Sequence, residues 1–100
     1  MTIGRPPVPQ APPGTVVVPL HGLPRDDEVV CELRRLTDER LALPVYDTVA
    51  DLVACCGRAQ PWMAVLADRM GELADATGAD VVVPGLELPP ELRHPEDTVR

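Results

Sequence analysis

The most constraining stretch of this sequence is a short amphipathic helix pattern that is flanked by an N-terminal capping residue and a C-terminal glycine. Val49, Leu52, Val53 and Cys56 recur at the spacing that places side chains on one face of a helix. Thr48 precedes that pattern, and the Thr48 hydroxyl can accept a hydrogen bond from a backbone N–H that has no partner in the first turn. Gly57 follows it, where a helix usually ends in a conformation without a Cβ. The spacing predicts a two-turn helix over Val49–Cys56, which is too short to be stable without tertiary packing.

The residues on either side of this helix predict strands. Thr15–Leu20 is β-branched and apolar, and Glu28–Leu36 alternates with Val29, Cys31 and Leu33 on an apolar face. Arg40–Tyr46 alternates again after a turn at Thr37–Glu39, so these two runs predict an antiparallel hairpin. Pro44 lacks a backbone donor, which predicts an edge strand or a bulge there.

The second half predicts a strand, a helix and a strand. Trp62–Leu66 and Val81–Val83 are apolar at every position, which favours central strands. Asp68–Thr77 between them has helical spacing, with Leu66, Met70, Leu73, Ala74 and Thr77 on its apolar side, and Gly78 as its end. We expect a right-handed βαβ unit. Near the end, a turn at Pro90–Arg93 is expected to dock through Leu92.

These elements predict an α+β domain in the order β-β-β-α-β-α-β, with a mixed sheet of about five strands and two helices. Residues 1–14 contain five of the thirteen prolines and predict a disordered leader, in which Pro6 and Pro9 have the spacing of a polyproline ligand. The domain is expected over residues 15–93, with a flexible acidic tail over 94–100.

Several motifs resemble a known family. The runs LPVYDT, ADLVACCG and QPW, followed by TGADVVV and LPPELR, are similar to small actinobacterial proteins of unknown function. Those proteins in turn resemble the N-terminal domain of SseB-type (enhanced serine sensitivity) proteins. The resemblance covers roughly residues 16–93 and implies an α+β domain without a known catalytic residue. One departure is Glu39, where the family pattern leads us to expect a turn glycine.

Composition narrows the possible functions. The sequence has no Ser, Lys or Asn, which excludes a serine triad, a Schiff-base lysine and a phosphate loop with its lysine. The formal net charge is −7, and Arg34–Arg35 is the only adjacent pair of cations, so neither nucleic acid nor an anionic membrane is an expected partner. Three cysteines do not suit a secreted disulfide framework, and no signal peptide is visible. We therefore expect a cytoplasmic protein with reduced thiols.

The cysteines are the first candidates for chemistry. Cys56 lies on the apolar face of the helix and Cys55 on its flank, both at the end where the helix dipole disfavours a thiolate. Cys31 reads as a core residue between Val29 and Leu33. No pair has the spacing of a structural zinc site, so we expect neither a metal nor another cofactor.

Asp47 and Asp51 lie four residues apart, but turn and helix-start chemistry accounts for both of these carboxylates. We therefore expect no catalytic residue.

The leading hypothesis is a non-catalytic protein-interaction or adaptor module. Its candidate partner-binding residues are Tyr46, Cys55, Arg58, Gln60 and Trp62, and the edge expected at residues 41–46 suggests a homodimer. The first alternative is a thiol-based redox or metal sensor that uses Cys55, Cys56 or Cys31. A weaker alternative is a small enzyme of unknown substrate that uses Asp47 or Cys55.

Overall fold

The computed structural model describes residues 10–22 and 29–93. It contains five strands and two helices in the predicted order, so the α+β class is confirmed. These elements are β1 (Thr15–Pro19), β2 (Arg34–Arg35), β3 (Leu41–Val45), α1 (Val49–Cys56), β4 (Trp62–Leu66), α2 (Met70–Thr77) and β5 (Val81–Pro84), with short 3₁₀ turns at Ala67–Arg69 and Pro90–Leu92. The first residues of the predicted leader and all of the predicted tail, together with Pro6 and Pro9, lie outside the described residues.

The strands form two sheets, and a bridge between β1 and the end of β3 joins them. β1 and β4 are antiparallel, while β3 lies between β2, to which it is antiparallel, and β5, to which it is parallel. Val17 of β1 and Tyr46, just after β3, exchange both backbone hydrogen bonds, each 2.8 Å long. This bridge brings the two sheets together over the helix α1.

The expected βαβ unit is wrong. β4 and β5 belong to different sheets, and β5 instead lies parallel to β3, so the crossover between parallel strands contains α1, β4 and α2. Both strands were expected to be central, yet each has a strand neighbour on one side only among the described residues. Their uniformly apolar sequences carry no information on which other strand they pair with, and that choice decides their position.

The helix α1 agrees with its sequence signals. The Thr48 hydroxyl accepts a hydrogen bond from the backbone N–H of Asp51 at 3.0 Å, which caps the first turn. Gly57 ends the helix at φ 96°, where its N–H still bonds to the Val53 carbonyl at 2.8 Å. The inner face of α1 is buried and belongs to the main core cluster. That cluster comprises Val17, Tyr46, Val49, Leu52, Cys56 and Leu88.

The hairpin of β2 and β3 turns through the residue that departs from the family pattern. Glu39 is the only non-glycine residue with a positive φ, 76°, among the described residues. The Glu39 N–H bonds to the Leu36 carbonyl at 2.9 Å, and the Leu36 N–H bonds to the Arg40 carbonyl at 2.8 Å. This is a three-residue loop whose last residue is left-handed, the position at which glycine is preferred.

The expected faces of the strand over Glu28–Leu36 are wrong. Glu32 was expected to point outward but is 7% exposed, whereas Val29 was expected inside and is 44% exposed. Only Arg34–Arg35 pair with β3, and the preceding residues pair with the end of β1 instead, through a Leu20–Cys31 bridge. The alternation therefore fails because the segment changes partner, while Glu28 lies outside the described residues.

β3 is the middle strand of its sheet and not an edge. β2 pairs only with Leu41 and Ala42, so no strand hydrogen bond from β2 is required at Pro44. Ala42 to Tyr46 are all buried, and the expected alternation is therefore absent. The homodimer expected through this strand loses its basis, because β2 and β5 flank the strand.

The predicted helix over Asp68–Thr77 divides into a 3₁₀ turn and α2, which ends at a left-handed Gly78 as expected. Its apolar side is poorly covered, since Ala74 is its only buried residue. Leu66, expected on that side, is 53% exposed. None of the helices in the described part of the chain is long and apolar enough to cross a membrane.

The C-terminal segment docks by a different leucine than expected. Leu92 is 54% exposed, whereas Leu88 is 5% exposed and donates its N–H to the Cys55 carbonyl at 2.8 Å. The Arg93 guanidinium donates to the Leu88 carbonyl at 2.8 Å. Near the other end, Ala11, expected in the leader, packs against the core cluster.

Candidate functional site

The five residues predicted to bind a partner do not form one surface. Arg58 is exposed, Cys55 and Trp62 are half-buried, and Tyr46 and Gln60 are 2% and 3% exposed. The structure does bring Tyr46, Cys55 and Trp62 to one region, because all three contact the core cluster around α1. Gln60 points elsewhere and ties the turn before β4 to the end of β1.

Tyr46 is held by a buried chain of hydrogen bonds. Its hydroxyl donates to the Leu86 carbonyl at 2.5 Å and accepts from the Cys56 thiol at 3.1 Å. Burial and the neighbouring Cys56 raise the pKa of the Tyr46 hydroxyl far above its ordinary value. Burial likewise raises the pKa of the Cys56 thiol, so both groups stay neutral. This pair joins α1 and β3 to the segment after β5 and has no group poised for proton transfer at neutral pH.

Cys55 lines a small cleft with the two carboxylates singled out in the sequence. The cleft has a volume of about 340 Å³ and is lined by Asp47, Asp51, Cys55 and residues of β3, α1 and β5. Burial first, and then the negative charges of Glu87 and Asp51, raise the pKa of the Cys55 thiol. The Cys55 thiol also lies 3.8 Å from the Gly85 carbonyl. A protonated thiol facing carboxylates is a poor nucleophile, since the thiolate is the reactive form.

Gln60 fixes the geometry of the turn before β4. The amide nitrogen of its side chain donates to the Leu20 carbonyl at 2.8 Å and to the Pro61 carbonyl at 2.9 Å. Its side-chain oxygen is buried without a hydrogen-bond partner among the described residues. Sequence reasoning placed Gln60 at a partner surface because it adjoins Trp62, whereas its position favours a structural role.

A second cleft was missed by the sequence analysis. It lies between the β2–β3 hairpin and the segment after β5, and its volume is about 410 Å³. Its charged lining is Arg34, Arg35, Asp38, Arg40 and Glu87, and its apolar lining includes Leu36, Leu86, Leu88 and Leu92. The pair Arg34–Arg35 was visible in the sequence, but nothing local indicated that Arg40 and the leucines of a distant segment would join it.

The three arginines of this cleft, hereafter the arginine cleft, differ in how far their charge is neutralised. Arg40 donates to the Asp38 carboxylate at 2.7 Å, and hydrogen bonds from Arg40 lower the pKa of Asp38. Arg34 lies 3.6 Å from Glu32, and its Nε is buried without a hydrogen-bond partner. Arg35 donates to the Glu39 carbonyl at 2.7 Å, a neutral acceptor. Among the described residues, the charge of Arg35 is therefore the least compensated of the three.

The described residues contain no group of three or more His, Cys, Asp or Glu side chains arranged to hold a metal ion. Cys31, Cys55 and Cys56 are free thiols. Compared with known proteins, the chain matches no family model, no curated protein and no solved structure.

Proposed function

We propose that this protein is a non-catalytic interaction module of the cytoplasm that binds a protein partner through the arginine cleft. The observation that carries the proposal is that three arginines line one cleft together with the exposed Leu92, in a chain whose net charge is −7. Arginine is the cation best suited to bind carboxylates at an interface, because its planar group makes paired hydrogen bonds. The expected ligand is an extended peptide segment that carries both carboxylates and apolar side chains.

The lining of the cleft suits such a segment. Leu92 is 54% exposed and adjoins the arginines, so it offers apolar surface beside positive charge. Among the described residues, the Arg35 guanidinium donates to a backbone carbonyl, which is a neutral acceptor. A carboxylate that reached this guanidinium would gain a charge-assisted hydrogen bond, which is about twice as strong as a neutral one.

The alternative functions have weaker support. A thiol sensor needs an accessible thiolate, whereas the pKa values of Cys31, Cys55 and Cys56 are all raised, mainly by burial. An enzyme that used Asp47 or Cys55 would need one of these groups activated, and the raised pKa of Cys55 opposes that. Membership in the family of SseB-like N-terminal domains stays a prediction, and that resemblance implies no known catalytic residue.

Direct titration with synthetic peptides tests the proposal. A labelled peptide of alternating Glu and Leu should bind the protein in a fluorescence anisotropy assay, and the matched peptide of alternating Gln and Leu should bind at least about tenfold more weakly. Arg35→Gln should weaken binding of the Glu peptide by about tenfold, because one charge-assisted hydrogen bond is worth roughly 1.5–3 kcal/mol. Added salt should weaken the binding further.

Arg69→Gln is the matched control, since Arg69 is also an exposed arginine but lies outside the cleft, beside Glu72. Its affinity for the Glu peptide should equal that of the wild type. Equal binding of the Glu and Gln peptides, or equal losses in the two arginine variants, would contradict the proposed cleft.

A further inference from the structure

The outer edge of β4 has unpaired backbone groups. In the antiparallel register with β1, Leu20 N–H bonds to the Pro61 carbonyl at 2.8 Å, and Ala67 N–H bonds to the Gly14 carbonyl at 3.0 Å. Since hydrogen-bonded pairs alternate in such a ladder, Met63 and Val65 also face β1. The N–H and C=O groups of Trp62 and Ala64 and the N–H of Leu66 therefore point away from β1, and no strand of the described residues pairs with them. The Leu66 carbonyl instead begins the 3₁₀ turn at Ala67–Arg69.

This edge differs from the other strand edges of the described residues. β2 has two residues, both arginine, and β5 ends at Pro84. Short length, charge and proline are the usual means by which proteins protect an edge from pairing. β4 has five residues, WMAVL, with neither a charge nor a proline, and Leu66 at its end is 53% exposed. By these criteria, β4 is the edge most open to strand addition.

The outward-facing residues of β4, Trp62, Ala64 and Leu66, are spaced symmetrically about Ala64, so two copies of this strand can pair with each other. We propose that β4 pairs antiparallel with β4 of a second copy of this chain, with Ala64 opposite Ala64 on the two-fold axis. Trp62 of each copy then lies opposite Leu66 of the other, the two Ala64 residues exchange both hydrogen bonds, and the Leu66 N–H of each copy donates to the Trp62 carbonyl of the other. This register is symmetric about Ala64, as an isologous dimer requires.

The charges that flank β4 favour this antiparallel arrangement over a parallel one. The turn before β4 carries Arg58 as its charged residue, whereas the segment after it carries Asp68, Arg69 and Glu72, with a net charge of −1. Antiparallel pairing places the positive end of each strand beside the negative end of its partner. A parallel arrangement would place like ends together, and like charges in close proximity are unfavourable. The flanking charges therefore favour the antiparallel orientation of the two copies.

The dimer proposed here uses a different surface from the arginine cleft and does not depend on the peptide ligand. It also differs from the homodimer expected from the sequence, because that prediction used β3, which has strands on both sides. Pairing at β4 would extend the two-stranded sheet of each copy into one four-stranded sheet, which is a common size for a stable sheet.

Sedimentation velocity over a concentration series tests the pairing. The wild type should shift from the 10.8 kDa monomer toward twice that mass as the concentration rises to about 1 mM, the range of weak association. Leu66→Lys should raise the midpoint concentration at least about tenfold, because a lysine at an edge opposes strand pairing and would lie opposite Trp62 of the second copy. Leu92→Lys is the matched control, since Leu92 is 54% exposed, close to the 53% of Leu66, but lies away from β4.

A second variant keeps the proposal testable if Leu66→Lys does not fold. Ala64→Cys should form an intermolecular disulfide under mild oxidation, since Cα atoms of a hydrogen-bonded pair lie about 5.5 Å apart, within the range of disulfides. The wild type, with its three native thiols, and Leu92→Cys should remain monomeric on a non-reducing gel. A wild type that stays monomeric throughout the series, or a midpoint shifted equally by both lysine variants, would overturn the proposal.

Discussion

The two halves of this protein carry equally apolar elements but bury them to different extents. The first half, built from β1, β3 and α1, holds most of the buried apolar side chains. They are Val17, Val18, Leu20, Ala42, Leu43, Val45, Tyr46, Val49, Leu52 and Cys56. In the second half, Ala74 is the only buried side chain within β4, α2 and β5 themselves, although WMAVL and VVV are as apolar as any strand of the first half.

The difference follows from the position of each element in the sheets. β3 has neighbours on both sides, and β1 lies between β4 and the backbone of Tyr46, so their side chains are enclosed. β4 and β5 have a neighbour on one side only among the described strands. The comparison teaches that hydrophobicity of a strand indicates a tendency to be buried, whereas strand order decides whether burial is complete.

The largest effect is expected from Leu52→Ala in the first half, compared with the same leucine-to-alanine change in the second half. Leu52→Ala, at a residue that is 0% exposed, should lower the free energy of unfolding by about 3 kcal/mol through lost burial and a cavity. Leu73→Ala on the half-buried face of α2 should cost about 1 kcal/mol, because its surroundings can relax and part of the side chain is already hydrated. Urea denaturation followed by far-UV circular dichroism measures both. Equal losses would break the comparison between the halves.

An intermediate effect is expected when the buried Tyr46 hydroxyl of the first half is removed. Tyr46→Phe keeps the ring but leaves the Leu86 carbonyl and the Cys56 thiol without their partner, which should cost about 1–2 kcal/mol. Folding raises the pKa of the Tyr46 hydroxyl. The contribution of this group to the free energy of unfolding is therefore complete below the ordinary tyrosine pKa of about 10, and it is lost as the pH rises above that value.

The Tyr46→Phe variant can also separate the loss of stability due to Tyr46 from the loss due to the thiols at high pH. The raised pKa values of the three thiols predict that the wild type loses stability above about pH 8.5, the ordinary pKa of cysteine. Tyr46→Phe should keep that loss and remove the further loss above about pH 10. Thermal unfolding measured from pH 7 to 11 gives both slopes. Identical slopes above about pH 10 in the two proteins would show that Tyr46 is not the group responsible.

The smallest effect is expected at the exposed turn of the β2–β3 hairpin, in neither of the two halves compared above. Glu39 has a φ of 76°, which is unfavourable for a residue with a Cβ, so Glu39→Gly should raise the free energy of unfolding by about 0.5–1 kcal/mol. Thr37→Gly in the same loop is the control and should be neutral or destabilising, since its backbone needs no positive φ. A stabilisation of equal size in both variants would indicate an effect on the unfolded chain and not on backbone strain.

The sequence predicted features that depend on near neighbours. Both ends of the helix α1 were predicted correctly, because the signals are adjacent in the sequence. Thr48 caps the first turn, and Gly57 ends the helix. The turn near Glu39 and the end of α2 at Gly78 followed from the same local rules of conformation. Buried Cys56 was also predicted, since its place on the apolar face follows from helix spacing.

The tertiary structure alone decided which strands pair, and the site followed from that choice. Glu32 is buried where alternation predicted exposure, because its segment pairs with β1 before it pairs with β3. The parallel contact between β3 and β5 carries Leu86–Leu92 to the hairpin arginines and so creates the arginine cleft. Strand pairing depends on the combined packing of distant apolar runs that resemble one another, and hence it is not encoded in any single stretch of this sequence.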